Sequence, residues 1–406
     1  MFKKGFLIGG ALAFFEKGKE LIMLPLLIMH LGIDGYGIYM QILLIGSILS
    51  IFTTCGMNIS ILRHYHLNKH EISISLVNII ITSMFVGCFW FLSGNLVVKM
   101  FQLPKETLYL SYCIAILISF KVVLYGYYRA SGYYLKILCY FTTFEAIEVC
   151  ALGSFSFTHF SIDIITIITV FLWIRIIPIL LSIIDVKPKL LISDIKSVIC
   201  KRMRFGISFI PKDLFLWIGH SADRFIISYL IGPTSVGVYV TIYKVASIVK
   251  HISQPVTFSA FPNLAKAWDT CDYHDFHIKK WKTAGLYLLL TVPLLILFAT
   301  VPSHLFTLLS KELTNSRVLL IWISVGLVIH TVQVITGYYV YVFSNKVWRY
   351  TIIISSVNVI GLFTQYYLLI NWGLKGAAFG SFLIYFIMWI IVIFDSSRFY
   401  RYNFHK

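Results

Sequence analysis

Apolar residues run in blocks of about 20 or more along this chain, broken by short clusters of charged residues, glycine and proline. A hydrocarbon layer of about 30 Å takes roughly 20 helical residues to cross, and the blocks have that length. Read against the turn and charge signals, they predict twelve helices, at 6–30, 38–61, 73–94, 107–127, 137–158, 163–184, 204–231, 238–262, 283–301, 318–343, 349–370 and 374–394. The expectation is an all-α membrane protein with no stretch left over for a soluble domain. Met1-Phe2-Lys3-Lys4 and the apolar run to Phe15 resemble a signal peptide, but no small-residue cleavage site follows. Apolar chain resumes after Glu16-Lys17-Gly18-Lys19-Glu20 and continues to Met29, so one uncleaved membrane helix is expected.

Composition agrees with the pattern: 59% of the 406 residues are hydrophobic and 13% are charged, more apolar surface than a soluble fold can hide. A net charge of +17 would suggest nucleic-acid binding in a soluble protein. Here it is a topology signal, and no nucleic-acid partner is expected. With the N-terminus inside, 21 Lys and Arg fall in cytoplasmic loops and termini, and five (Lys99, Lys105, Lys311, Arg317, Lys375) fall outside. Cations favour the cytoplasmic side, so both termini are placed in the cytoplasm. The seven cysteines are odd in number and form no CxxC pair, which gives neither a disulfide framework nor a metal knuckle.

The longest cytoplasmic loop divides the helices six and six. This predicts an N-terminal bundle at 1–184, a linker at 185–203 and a C-terminal bundle at 204–406. A shift of 200 residues lays Leu31-Gly32-Ile33-Asp34-Gly35-Tyr36-Gly37-Ile38-Tyr39 over Ile231-Gly232-Pro233-Thr234-Ser235-Val236-Gly237-Val238-Tyr239. Two glycines, a tyrosine and the apolar spacing coincide. An internal repeat is the preferred reading, as in many transporters; chance likeness between two apolar turns is the other.

Phosphate-loop, HExxH and GxSxG signatures are absent, so ATP hydrolysis and the commonest hydrolytic chemistries have no motif, and no cofactor is expected. The stretch Asp272-Tyr273-His274-Asp275-Phe276-His277 and the trio His64, His66 and His70 are read as solvated cytoplasmic loops rather than metal sites.

The candidate chemistry lies in the ionisable residues within the predicted helices, each costing about 3 kcal/mol at the bilayer centre unless it faces protein or water. Eight are cations: Lys17, Lys19, Lys121, Arg175, Lys212, Arg224, Lys244 and Lys250. Six are acids: Glu16, Glu20, Glu145, Glu148, Asp213 and Asp223. The cationic excess suits a cavity that holds a diphosphate, whose oxygens accept charge-assisted hydrogen bonds. Glu145 and Glu148 share a helix face with no cation within a turn, and with Asp223 they are candidates for ion coupling. Other readings stay open: local pairs Glu16–Lys19 and Lys17–Glu20, a lysine from another helix on the two glutamates, and an Arg224 that snorkels to the outer surface. Pro178, Pro211 and Pro255 lie beside these charges and suit mobile cavity walls.

Twelve helices in two halves, the Leu31-Gly32 to Tyr39 turn, and Asp223-Arg224-Phe225 running through Gly232 into Val236-Gly237-Val238-Tyr239 resemble the Wzx-type polysaccharide flippases. These belong to the multidrug/oligosaccharidyl-lipid/polysaccharide (MOP) superfamily, with the MATE exporters and the lipid II flippase. The resemblance implies a MATE-like fold of two pseudo-symmetric six-helix bundles. It further implies a bacterial inner-membrane monomer that translocates undecaprenyl-pyrophosphate-linked oligosaccharide among membrane lipids. Ion-coupled alternating access, a role in O-antigen or other surface polysaccharide synthesis, and a polysaccharide polymerase and chain-length regulator as partners follow from the same likeness. Another exporter of the superfamily, a lipid II flippase or MATE-type antiporter, is the alternative. Lipid II flippases usually have two extra helices and an arginine-rich first helix, where this chain has Lys17 and Lys19. MATE exporters favour acidic cavities.

Overall fold

The computed structural model describes residues 2–64, 71–101, 103–155, 163–188, 202–207, 209–301, 311–314, 316–344 and 346–404. Twelve long helices can be followed among the described residues. The continuous element Phe2–Thr54 bends at Gly32, whose φ of 67° lies in the left-handed region that suits glycine, and so separates α1 (2–31) from α2 (33–54). Val347–Phe404 bends in the same way at Gly373, φ 56°, into α11 (347–372) and α12 (374–404). Between them lie α3 (Glu71–Met100), α4 (Thr107–Ala130), α5 (134–155), α6 (Ile164–Val186), α7 (Ile210–Leu230), α8 (233–269), α9 (Tyr273–Thr300) and α10 (317–343). A short helix, Met57–His64, prolongs α2 past a turn at Cys55-Gly56.

Several helices differ from the sequence expectation at their ends or within. α5 contains a π-helical turn at Leu138–Thr142 and α10 one at Val334–Tyr338, irregularities that periodicity averages away. α8 starts at Pro233, a residue suited to a first helical turn, and is interrupted at Ser247. The Asp272–His277 stretch is not a loop. It forms the start of α9, capped by Asp272, whose carboxylate accepts from the Asp275 N–H at 2.9 Å. The His66 and His70 positions and most of the expected 185–203 linker lie outside the described residues.

Seven stretches of described chain are long and apolar enough to cross a membrane, and two of them, Lys17–Thr54 and Trp348–Arg398, contain the bent pairs. That covers nine helices. The remaining three, α5, α7 and α8, carry Glu145, Glu148, Asp223, Arg224, Lys244 and Lys250. α5 and α8 are each interrupted, at the π-helical turn and at Ser247, and α7 carries Asp213, Asp223 and Arg224; the charges on these three helices are where function has to be sought.

The chain divides into two compact units. One comprises Phe14–Trp217 and Gly232–Gly237. Its helix α3 shows how a lipid-facing element is built: Ser73, Ser75, Asn78, Thr82 and Ser83 are buried, whereas Phe85, Phe89, Leu92 and Leu96 are exposed. Small polar residues let helices approach closely, and aliphatic and aromatic ones meet lipid tails. In the same unit, Gly37 lies against the Pro233 carbonyl and the Gly237 backbone nitrogen, and Gly237 lies against the Ile33 carbonyl. Ile33 and Pro233, like Gly37 and Gly237, are 200 residues apart. The contact is reciprocal.

The other unit comprises Met1–Ala13, Ile218–Ile231 and Val238–Lys406. Here α8 packs on α9, and α10 on α11 and α12. Its core includes Tyr341, Tyr350, Ile354, Val357, Ile384, Met388 and Val392.

Candidate functional site

In the unit holding the first six helices, the charged side chains assemble into ion pairs. On α1, Lys17 pairs with Glu20 one turn on, at 3.1 Å. Lys19 turns instead to Glu148 on α5, which is also gripped by Arg175 from α6, Nε to Oε1 2.5 Å and Nη2 to Oε2 3.3 Å. Only 1% of the Glu148 side chain is exposed, so an unpaired carboxylate there would be costly. Glu145, one turn earlier, takes Lys121 from α4 at 2.7 Å, and its second oxygen is buried with no hydrogen-bond partner among the described residues. Both glutamates, which have no cation near them along their own helix, thus receive cations from α1, α4 and α6. This realises the ion-pair alternative for Glu145, Glu148 and Lys17. Lys19 is paired across helices, and the Glu16 side chain lies outside the described residues.

The unit formed by later helices holds a different arrangement. Asp223 and Arg224 are adjacent on α7, so their side chains diverge. The Asp223 carboxylate accepts the Arg224 backbone N–H at 2.9 Å and the Tyr239 hydroxyl at 2.7 Å. Tyr239 also meets Ser381 of α12 at 3.0 Å, and Gln365 of α11 donates to the same serine at 2.9 Å. The Arg224 side chain lies over the Tyr243 ring, 4.7 Å from guanidinium carbon to centroid. It is 9% exposed, its Nε is buried without a hydrogen-bond partner, and no carboxylate bridges it among the described residues. Burial of the whole residue removes the snorkelling alternative. A ring face stabilises a desolvated cation by about 2 kcal/mol but gives Nε no acceptor. An anion with several acceptor oxygens would supply one.

Lys244 and Lys250 lie half-buried on α8, Lys250 within electrostatic range of His220 on α7 and His330 on α10. Lys212 stands in the first turn of α7, and its side chain lies outside the described residues. Among the described residues, no group of three or more His, Cys, Asp or Glu side chains could hold a metal.

A buried glutamate and a half-buried histidine lie outside the set that the sequence predicts. Glu71 opens α3 with 1% of its side chain exposed and binds Arg202 at 3.0 Å and Ser60 at 2.7 Å. It stands at the end of an apolar run, where a loop residue was expected. His330 was passed over within the apolar α10, and its ring stands 5.4 Å from that of His220. A lone histidine in such a run was the only available signal.

Proteins of the family described as polysaccharide biosynthesis protein match residues 2–268. No curated protein matches the chain in sequence. Among solved structures, an inward-facing multidrug resistance MATE family transporter of the MOP superfamily is similar at 12% identity and TM-score 0.73, covering 96% of each chain. The lipid II flippase MurJ, inward closed, is similar at 15% identity and TM-score 0.72 over 96% of this chain and 87% of its own. A MOP superfamily transporter from Pyrococcus furiosus, described by the reverse polarity of its binding pocket, reaches 11% identity and TM-score 0.62 over 98% and 95%. At such identities the likeness is one of fold, and the fold is MATE-like. With that fold and a family match over residues 2–268, this multi-pass membrane protein belongs to the polysaccharide biosynthesis protein family.

Proposed function

We propose that the protein is a flippase moving undecaprenyl-pyrophosphate-linked oligosaccharide repeat units from the cytoplasmic to the periplasmic leaflet of a bacterial inner membrane, both termini being cytoplasmic. The polymer served is O-antigen or another surface polysaccharide. The observation that carries this reading is Arg224, a buried guanidinium resting on an aromatic ring and bridged by no carboxylate among the described residues. In a polysaccharide-synthesis family, the anion that must cross the membrane with its sugar is the diphosphate of the carrier lipid. Lys244 and Lys250 extend the cationic surface along α8. Lys17, Lys19, Lys121 and Arg175 engage a passing anion as members of ion pairs, four cations against the three carboxylates Glu20, Glu145 and Glu148. Asp223, held by a tyrosine and a backbone N–H rather than by a lysine, is the favoured carboxylate for ion coupling.

A MATE-type antiporter shares the fold. A buried guanidinium bridged by no carboxylate among the described residues is poorly suited to the organic cations such exporters carry, and this favours the lipid-linked substrate. Deletion of the gene, in a strain with no second flippase of the family, should trap lipid-linked repeat units on the cytoplasmic leaflet and remove surface polymer. Persistence of surface polymer would overturn the proposal.

A further inference from the structure

On α7, His220 lies one turn before Arg224 and therefore on the same face. α10 brings His330 to it, the ring centroids 5.4 Å apart and the planes at 80°. α12 adds Tyr385, its ring 5.0 Å from that of His330 and its hydroxyl 3.5 Å from His220 Nδ1. At 3.5 Å that last contact is a weak hydrogen bond at best. His330 Nδ1 is buried with no hydrogen-bond partner among the described residues, as is Arg224 Nε.

The charged and titratable groups around the two rings are few. α7 supplies Arg224 and Asp223, and the latter's oxygens are turned to the Arg224 backbone and to Tyr239. α8 supplies Lys250, in electrostatic range of both rings, together with Tyr239 and with Tyr243, which also hydrogen-bonds Tyr385. α11 supplies Asn358, which abuts Gly219 next to His220 and does not titrate. The two imidazoles stand against each other, the Lys250 charge is in electrostatic range of both and the Arg224 charge of His220; Asp223 is the one carboxylate named near them among the described residues, and Arg224 Nε and His330 Nδ1 remain unmatched. Leaving such atoms unpaired costs about 1–3 kcal/mol each. A diphosphate, with negative oxygens on both phosphorus atoms, could accept from all four donor groups.

Resting on the flippase reading, we propose that His220 and His330 are further diphosphate-binding residues of the site begun by Arg224 and Lys250, and that they bind the anion as imidazolium rings. Occupancy of the site then takes up protons. Neutral imidazole offers one donor and imidazolium two, and the negative ligand supplies the charge that makes the second proton favourable. Affinity is highest below the histidine titration range. Above it, affinity falls by roughly tenfold per pH unit for each proton taken up.

The test uses the full-length protein in detergent and inorganic pyrophosphate as the probe. Calorimetry is run from pH 6 to pH 8 in two buffers of different ionisation enthalpy, which counts protons directly. Wild type should take up one to two protons beyond those accounted for by pyrophosphate's own ionisation. His220→Asn and His330→Asn, each checked for an unaltered size-exclusion profile, should bind more weakly at pH 6 and show a flatter pH profile. Wild-type affinity and proton count in both variants would overturn the proposal, and so would the absence of excess uptake by wild type. In those cases the flippase reading survives as long as Arg224→Gln abolishes pyrophosphate binding. If wild type fails to bind pyrophosphate at any pH, the anion site and the histidine proposal fall together.

Discussion

Gly37 and Gly237 meet in a reciprocal contact, each backbone standing where the other segment's neighbouring carbonyl would collide with a side chain. A Cβ on Gly37 would run into the Pro233 carbonyl, and one on Gly237 into that of Ile33. Because these obstacles are backbone, no rotamer change relieves them. Alanine at either position should lower the thermal midpoint of the detergent-solubilised protein, at a cost of about 1–3 kcal/mol. The double variant should cost less than the sum of the singles, since one separation of the segments relieves both clashes. Fluorescence-detected size exclusion after heating reads this, and unaltered midpoints would contradict the contact.

Arg224 offers a charge test. Glutamine there should reduce surface polymer at least tenfold without lowering the amount of protein in the membrane, because the neighbouring Asp223 carboxylate keeps its hydrogen bonds from Tyr239 and the backbone N–H of residue 224. Lysine should keep part of the activity, and Tyr243→Phe should keep nearly all of it, since the ring face is what supports the cation. The measurement is surface polymer divided by membrane protein level.

Glu148 should behave oppositely. Its replacement by glutamine leaves Lys19 and Arg175 without their shared counter-charge, so protein level itself should drop. Adding Lys19→Met should restore much of it. Immunoblotting of membranes separates this outcome from a loss of activity alone.

The buried Glu71–Arg202 pair is asymmetric, with 1% of one side chain exposed and 14% of the other. Arg202→Ala should therefore be more damaging than Glu71→Gln. The first leaves a buried carboxylate with Ser60 as its remaining side-chain partner among the described residues, whereas the second keeps a neutral acceptor for both partners. Thermal midpoints of the two variants should differ in that order.

Topology is open to reporter fusions. Fusions after Pro104 and Lys375 should report the periplasm, and fusions after Gly132 and Cys271 the cytoplasm, following the 21-to-5 division of loop cations. A cytoplasmic signal at Pro104 would contradict the orientation.

The sequence by itself determined the helices. A membrane-crossing segment must bury its backbone polar groups in its own helix, so most spans are written locally as a long, largely apolar run. The equivalence of Gly37 and Gly237 is likewise readable, because the same tight packing requires glycine twice. What only the tertiary structure decided is which charge meets which. Glu148 has no cation within a turn of its own helix, and its partners come from α1 and α6, more than a hundred residues before it and 27 after. Arg224 lies next to Asp223 in the chain, yet its side chain rests on Tyr243. Helical periodicity fixes the face a residue occupies. Electrostatic pairing depends on the few ångströms between faces, and those are set by how the helices pack.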